Sequence, residues 1–300
     1  MTIGIRGVGA LALAATLAIA ACSGGPAAAT TVPSAAAPTG TFAPTSCATG
    51  TITAAGSTAL QPLVDAAGKI YTAACPGSTI TVNGGGSGTG LTQVSGGSID
   101  IGDSDVTAES KLATPDAAAL VDHMVAKQGW ILVANKDVTG ITNLTTDQLV
   151  KIWTGVTTNW KDVGGPDLPI VLILRPTSSG TRSTFKKIVL GGASEASGQA
   201  LTEDSNGAVT TAVSGTPGST SVIGFAYYQT AKDKLVGFQL DGVDASVTNM
   251  ASGTYKLNAV GHMYTKGQPA GLAKSFLDYM LSDAVQKGLI PANFYAPVNP

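Results

Sequence analysis

Four short segments rich in glycine, serine, threonine and aspartate constrain the fold more than any other feature of the sequence. They occupy residues 56–58, 86–89, 103–105 and 175–181. Between residues 50 and 102 the apolar pattern alternates strand, helix, strand, helix and strand, which is typical of a parallel α/β sheet. Each segment follows the carboxyl end of a predicted strand, where open α/β sheets bind their ligands. The sequence therefore predicts an α/β protein with a binding site at these strand ends.

Three of the segments combine hydroxyl side chains with the N–H groups of a predicted helix start. A helix start carries unpaired N–H donors and the positive end of the helix dipole, so it attracts an oxyanion. Arg175 adds a positive charge, and Asp105 adds a hydrogen-bond acceptor. Several helix starts with one arginine and one aspartate indicate a cage for a small, tetrahedral, protonated anion.

The composition excludes some classes of function. The chain has 300 residues, enough for two modest domains, and only 12% are charged, about half the usual share of roughly 25%. The net charge is −2 and there is no basic cluster, which argues against a nucleic-acid partner. The two histidines, His123 and His262, have no partner at metal-ligand spacing. We therefore expect no metal site, and we expect no cofactor.

Residues 1–21 are typical of a signal peptide. Arg6 precedes an uncharged, largely apolar run over residues 7–21, which is shorter than the ~20 residues needed to span a bilayer. Residues 19–22, Ile-Ala-Ala-Cys, resemble the lipobox of bacterial lipoproteins. That resemblance implies that Cys22 is acylated, with chains such as palmitate, and begins the mature protein. The alternative is an ordinary signal peptide followed by an incidental cysteine.

The segment after Cys22 is predicted to be a tether. Residues 23–46 are rich in Ala, Pro, Thr, Ser and Gly and carry no charge, so they cannot bury much surface. We expect residues 22–46 to form a lipidated cysteine with a disordered linker. The protein is then exported and lipid-anchored to the outer face of the bacterial cell membrane.

Two further cysteines, Cys47 and Cys75, remain in the exported part. An oxidising compartment favours one disulfide between them, which would tie the first strand to the end of the first helix. Two unpaired thiols are the alternative.

The remaining periodic segments predict more strands and helices of the same kind. We expect strands at 50–55, 79–83, 98–102, 130–135, 169–174, 222–226 and 256–264, and helices at 59–74, 145–154, 183–190 and 272–281, with a short helix ending near residue 94.

Six motifs in order resemble the phosphate substrate-binding proteins of ABC importers. They are Gly-Ser-Thr-Ala-Leu at 56–60, the glycine-rich 84–90, Asp-Ile-Gly-Asp-Ser-Asp at 100–105, 159–165, 175–185, and 207–209 followed by 223–225. The resemblance covers about residues 50–297. It implies a two-lobe, type II periplasmic-binding-protein fold of mixed, mostly parallel sheets, with the ligand in the interlobe cleft. Lobe I would hold residues 48–127 and 257–300, and lobe II residues 128–256.

The resemblance also implies a set of phosphate-binding residues. They are Thr58 through its hydroxyl, Ala59 through its N–H, Ser87 through both, Asp105 as acceptor, Arg175 as cation, and Ser179, Gly180 and Thr181 as donors from a helix start. A carboxylate at position 105 repels an oxyanion unless the anion carries a proton, so hydrogen phosphate is favoured over sulfate. From spacing alone, Asp105 is a turn or cap residue.

Two further positions bear on this site. Thr177 stands where some members of the family carry an acid that orients the arginine, so the resemblance implies that Arg175 is less constrained here. Ser205 and Asn206 are additional candidates for the lining of the cleft.

The function implied is phosphate binding and delivery to the permease of an ABC importer, by a monomer that is not an enzyme. A binding protein for sulfate or molybdate, a phosphate-metabolising hydrolase, and a surface sensor or adhesin are the alternatives. The hydrolase has little support: no Lys follows the glycine-rich loop, and G-x-S-x-G fails at Ser87. Residues 183–186 match S-x-x-K without its companion motifs.

Overall fold

The computed structural model describes residues 42–196 and 201–298. The predicted signal peptide, Cys22 and the tether up to residue 41 lie outside the described residues. The strands are β1 Gly50–Gly56, β2 Ser78–Asn83, β3 Ile101–Ser104, β4 Leu120–Asn135, β5 Asn143–Leu144, β6 Val171–Leu174, β7 Leu201–Thr202, β8 Ser219–Gly224, β9 Leu235–Leu240 and β10 Asn258–Lys266. The α-helices are α1 Gln61–Ala74, α2 Ser87–Ser95, α3 Thr114–Ala118, α4 Thr146–Trp153, α5 Gly180–Ile188, α6 Asn206–Gly215, α7 Phe225–Ala231, α8 Val247–Ser252, α9 Gly271–Met280 and α10 Ile290–Ala292. Ala108–Ser110 and Trp160–Val163 are 3-10 turns, and Val285–Leu289 is a π-helix.

The strands form one mixed sheet. Its order is β2-β1-β3-β10-β4-β8-β6-β7, and β9 pairs with both β4 and β5. The pairs of β1 with β2 and β3 are parallel, as are those of β6 with β7 and β8. Strand β10 is antiparallel to its two partners, β3 and β4, and β4 is antiparallel to all three of its partners, β10, β8 and β9. The parallel pairs bring the carboxyl ends of β1 and β3 to the same edge, where the first three ligand segments lie.

Strand β4 runs through both halves of the sheet and is longer than predicted. We expected a strand at 130–135 only, but it begins at Leu120. Residues up to Gly129 pair with β10, and residues from Trp130 onward pair with β8 and β9. The first half was missed because Asp122, His123 and Lys127 interrupt the apolar pattern. The carboxylate of Asp122 is paired with the imidazole of His262 on β10, at 2.9 Å.

Two large hydrophobic cores lie on this framework. The first core contains Leu63 and Phe276 and draws on residues 52–126 and 263–295, with Ala226. The second core contains Trp130 and Phe238 and draws on residues 130–257, with Ala59. Strands β4 and β10 are the segments that continue from one core to the other, so polar groups at the junction of the cores are positioned by both.

Most predicted helices are present with shifted ends. Helix α4 begins after Thr145, whose hydroxyl accepts from the backbone N–H of Gln148 while the Gln148 side chain accepts from Thr145 N, a capping box. Helix α5 begins at Gly180, three residues earlier than the predicted start at 183, because the Ser179 hydroxyl caps it by accepting from Arg182 N at 3.2 Å.

Cys47 and Cys75 form a disulfide. It joins the segment before β1 to the end of α1, as expected.

Residues 42–46, the end of the predicted disordered linker, are described by the structure and are in part packed against the fold. Phe42 packs against the first core, and its carbonyl accepts from the Tyr279 hydroxyl at 2.6 Å, because an aromatic side chain supplies the apolar surface that the rest of the segment lacks.

Over residues 42–196 and 201–298, the structure contains no helix that is both long enough and apolar enough to cross a membrane.

Candidate anion-binding site

The loop from β1 to α1 requires glycine at its first position. Gly56 has φ 140°, and a Cβ there would lie 2.1 Å from the carbonyl oxygen of Asp103. The close approach lets Ser57 N donate to that oxygen at 2.8 Å. The Ser57 hydroxyl in turn accepts from the N–H groups of Ala59 and Leu60, at 3.2 and 3.0 Å. Ser57 therefore fixes the start of α1, and the predicted donor Ala59 N–H points at this hydroxyl.

The Asp105 carboxylate receives hydrogen bonds from three side chains. Oδ1 accepts from the Ser57 hydroxyl and from Gln128 Nε2, the latter at 2.9 Å. Oδ2 accepts from the Thr181 hydroxyl at 3.3 Å. Asp105 N donates to the Ser87 hydroxyl at 2.9 Å. Asp105 is 3% exposed, so these contacts stand in for water.

The direction of these hydrogen bonds is set by backbone and indole donors. The Ser57 oxygen already accepts from two N–H groups, so its own hydrogen points to Asp105. The Thr181 oxygen accepts from the indole N–H of Trp130 at 3.0 Å, which leaves its hydrogen for Asp105 as well. An ionised carboxylate has about four acceptor positions, and three are used, so one remains on Oδ2.

Burial raises the pKa of Asp105, while the hydrogen bonds from Ser57 and Gln128 and the charge of Arg175 oppose that rise.

A second carboxyl group, that of Asp103, is fully buried two residues before Asp105 in the sequence. Neither oxygen of Asp103 has a hydrogen-bond partner among the described residues. Burial, with the charge of Asp105, raises the pKa of Asp103 to about 8, so Asp103 is neutral at pH 7, whereas the hydrogen bonds that Asp105 accepts favour its ionised form.

Arg175 follows β6 and is held by main-chain carbonyls. Its Nε donates to Glu203 O at 2.9 Å and its Nη2 to Asp204 O at 2.8 Å. Nη2 also contacts the Thr58 hydroxyl at 3.3 Å. The two carbonyls orient the guanidinium although no acidic side chain stands at position 177. Arg175 is therefore more constrained than the sequence implied. Burial lowers its pKa to about 10, which still leaves it charged at neutral pH.

One nitrogen of Arg175 is left without a partner. Nη1 is buried and has no hydrogen-bond acceptor among the residues that the structure describes. A buried guanidinium N–H without an acceptor is costly, and an anion would supply the acceptor. This nitrogen and the open position on Asp105 Oδ2 are complementary to an oxyanion that carries one hydrogen.

The start of α5 lies directly against the first core's loops. A Cβ at Gly180 would lie 2.2 Å from Ser87 Oγ and 2.6 Å from Asp105 Cβ, so the backbone approaches as closely as glycine permits. Gly88 N donates to Ser178 O at 2.8 Å across the same gap. The N–H groups of Gly180 and Thr181 belong to the first helical turn, where the helix itself supplies no acceptor.

All eight predicted site residues are buried around this one point. The sequence missed Gln128 and Trp130, which hold Asp105 and Thr181, and it did not assign Ser57 a role. Asn206 was only a candidate. Its Nδ2 donates to the Thr58 hydroxyl at 2.8 Å and its Oδ1 accepts from Gly224 N, while Ser205 caps α6 through Ala208 N. A polar residue within a buried strand, such as Gln128, is the signal that would have found it.

Over the described ranges, the structure contains no cluster of three or more histidine, cysteine, aspartate or glutamate side chains that would hold a metal ion.

Two cores linked by crossing strands, with polar groups of both at their junction, form the architecture of a two-lobed solute-binding protein. The profile of the PBP superfamily domain matches residues 41–284. The chain belongs to the PBP superfamily, and the predicted α/β, periplasmic-binding-protein-like fold is confirmed.

Relatives within this superfamily are named for phosphate. The phosphate-binding protein PstS of Bacillus subtilis (strain 168) is 46% identical over 251 residues, 84% of this chain and 82% of the relative. A crystal structure described as a phosphate ABC transporter substrate-binding protein from Clostridium perfringens, with bound phosphate, matches at TM-score 0.76 and 28% identity, covering 83% of this chain and all of that one. An ABC-type phosphate transport receptor from Vibrio cholerae matches at TM-score 0.65 and 27% identity, with coverage of 83% and 100%. The resemblance to phosphate-binding proteins of ABC importers is confirmed.

Proposed function

We propose that this protein binds hydrogen phosphate at the junction of its two cores and delivers it to the permease of an ABC importer. The observation that carries the proposal is the pairing of one buried unpartnered cation donor, Arg175 Nη1, with one open acceptor position on Asp105. The names of the phosphate-binding relatives support the choice of ligand.

The proposed binding mode divides the anion between two lobes. Lobe I, residues 48–127 and 257–300, contributes Thr58, Ser87 and Asp105, together with the Ala59 N–H, which would be shared between the Ser57 hydroxyl and the anion. Lobe II, residues 128–256, contributes Arg175 and the helix start Ser179–Thr181. A ligand that contacts both lobes favours the closed arrangement, because only closure brings all of its partners together. The permease would then recognise the closed form as the loaded one.

Asp105 is the proposed specificity residue. The three donors that surround its carboxylate stabilise the ionised form, so its remaining lone pair requires a hydrogen from the ligand. Hydrogen phosphate supplies that hydrogen. Sulfate is fully ionised at neutral pH and would leave a carboxylate facing an anion without a hydrogen between them. This repulsion lowers the affinity for sulfate.

The experiment is calorimetric titration of the purified protein with phosphate, sulfate and arsenate at pH 7. We expect phosphate to bind and sulfate to be rejected by at least about a hundredfold, since a like charge facing the ligand costs several kcal/mol. Asp105→Asn presents an amide N–H to the ligand, so we expect it to narrow the preference for phosphate over sulfate. Binding of sulfate or molybdate in preference to phosphate would instead support the other-oxyanion alternative.

We propose further that Cys22 carries the membrane anchor and that the protein acts as a monomer without a chemical step. The lipobox-like residues 19–22 support the anchor. Cells expressing the protein with Cys22→Ser should release it into the soluble fraction, whereas the unmodified chain should remain with the membrane. Light scattering of the purified protein tests the monomer, and hydrolysis of a phosphomonoester would contradict the absence of catalysis.

A further inference from the structure

The proposed ligand brings more negative charge than the site balances with one arginine. Hydrogen phosphate is a dianion, Arg175 supplies one positive charge, and an ionised Asp105 subtracts one. Fixed N–H dipoles compensate part of the difference. A second cation close to the site would reduce the remaining imbalance.

Lys111 is such a cation, and it joins the two halves of the molecule. It follows the 3-10 turn Ala108–Ser110, a few residues beyond Asp105. Its ammonium donates to the carbonyl oxygen of Thr177 and to the Ser183 hydroxyl, both at 2.7 Å. Ser183 then donates to the carbonyl oxygen of Ser179 at 3.0 Å. The ammonium therefore ties both sides of the turn that carries Ser179, Gly180 and Thr181.

Lys111 has no acidic partner in the described part of the chain. The ion pairs between described residues do not include it, and its two acceptors are neutral. Its side chain is partly buried. Burial and the charge of Arg182 lower the pKa of Lys111, whereas the charge of Asp105 raises it. The positive charge of Lys111 is thus available to an anion bound beside Asp105.

The turn over residues 177–183 is held by hydrogen bonds on two sides. Gly88 N donates to Ser178 O on one side, and Lys111 donates to Thr177 O and Ser183 Oγ on the other. The first contact joins main-chain groups and cannot be removed by a side-chain substitution. The second contact can be removed by substituting Lys111. Both contacts join groups assigned to different lobes, so an opening of the cleft would break them.

We propose that Lys111 is a positioning residue that slows phosphate release, by holding the 177–183 segment of lobe II against lobe I and adding a second positive charge beside the anion. This inference rests on the proposed binding of phosphate. Because its contacts cross between the proposed lobes, we expect Lys111 to stabilise the closed complex and to leave the encounter between phosphate and the open cleft nearly unchanged.

Stopped-flow measurement with inorganic phosphate tests the role. Removing a charged hydrogen bond costs about 1.5–3 kcal/mol, so Lys111→Met should raise the dissociation rate constant about tenfold or more while the association rate constant stays within about threefold. Lys187→Met is the matched control. Lys187 lines the same cavity of 310 Å³ as Ser183 but makes no interlobe hydrogen bond among the described residues. The rate constant for phosphate dissociation from Lys187→Met should therefore stay within about twofold of the wild-type value.

A double-mutant cycle separates the contact from a general charge effect. Ser183→Ala should speed release by a few-fold, and Lys111→Met/Ser183→Ala should release phosphate no faster than Lys111→Met alone, since both changes remove one interaction. Hydrogen exchange at the Gly88 amide in the phosphate complex should accelerate in Lys111→Met, because the turn is gripped from one side only.

The outcomes distinguish the inference from the function on which it rests. If the wild type binds no phosphate, the proposed function fails. If the wild type binds phosphate and Lys111→Met releases it within about twofold of the wild-type rate, Lys111 has no such role. Equal acceleration by Lys187→Met would also overturn the proposal, because it would reflect net charge rather than the interlobe contact.

Discussion

The Thr181 hydroxyl lies 3.3 Å from Oδ2 of Asp105, although the two residues are 76 positions apart in the sequence. The indole N–H of Trp130 occupies the acceptor side of that hydroxyl, at 3.0 Å, so its hydrogen is directed at the carboxylate. Thr181 is therefore both a link between the halves of the molecule and a determinant of the charge state of Asp105.

Thr181→Val should lower phosphate affinity by about ten- to a hundredfold. Valine keeps the shape but removes a hydrogen bond to a charged group, worth about 1.5–3 kcal/mol, and leaves the Trp130 N–H unpaired. Thr181→Ser retains the hydroxyl and should stay within about threefold of the wild type. Titration calorimetry measures both variants, and equal affinity of the valine and serine variants would contradict the role of the hydroxyl.

Gly180→Ala should weaken phosphate binding at least about a hundredfold without destabilising the unliganded protein. Alanine favours a helix by about 0.5–1 kcal/mol over glycine, so α5 itself gains. The added methyl would meet Ser87 Oγ at 2.2 Å and Asp105 Cβ at 2.6 Å, which prevents the close approach of the two halves. Gly215→Ala, at the end of α6 with open space around it, is the control.

The two measurements for Gly180→Ala are the unfolding midpoint without ligand and the dissociation constant for phosphate. An unchanged dissociation constant would mean that α5 does not need to reach Ser87 for binding. A large loss of stability in the absence of ligand would mean that the contact is part of the fold and independent of closure.

Asp103→Asn should stabilise the protein increasingly as the pH rises from 5 to 8. The pKa of Asp103 is about 8 in the folded chain against an ordinary value of 3.8, so in that interval the folded state holds a proton that the unfolded state has lost. The stability contributed by Asp103 is full below pH 4 and falls with rising pH, by at most about 1.4 kcal/mol per unit. Asparagine cannot ionise, so the variant escapes this loss.

Denaturant unfolding of both proteins at pH 5, 6, 7 and 8 measures the effect as a difference in unfolding free energy. Titration of groups distant from the Asp103 and Asp105 pair is common to the two proteins and cancels. A difference that stays constant with pH would show that Asp103 is ionised in the folded state.

Replacing Cys47 and Cys75 by alanine should cost about 3–4 kcal/mol of stability, because the bond closes a loop over a sequence separation of 28 residues. Phosphate affinity should hardly change. The bond lies at the far end of α1, whose 14 residues span roughly 20 Å. Denaturant unfolding and calorimetry provide the two values, and a large loss of affinity would show that the disulfide shapes the site.

The sequence predicts the elements that have regular apolar spacing and loses those whose pattern is interrupted. Helix α6 has glycine, threonine or serine at half of its ten positions, and β9 contains Gly237, where the Tyr228 ring fills the space of a side chain. Both elements form because the surrounding packing outweighs their weak local preference. Gln128 escaped prediction, and Asn206 was only a candidate, for a related reason: each acts through a partner distant in sequence.

The way in which Arg175 is held affects which residues around it can be substituted without disturbing the site. Its orienting acceptors are the peptide oxygens of Glu203 and Asp204, and peptide oxygens are present whatever side chain follows. Substitutions at these two positions can therefore change the charge of the surface beside the site, while the guanidinium keeps its orientation. Surface charge in this region and the geometry of the buried cation can thus vary independently of each other.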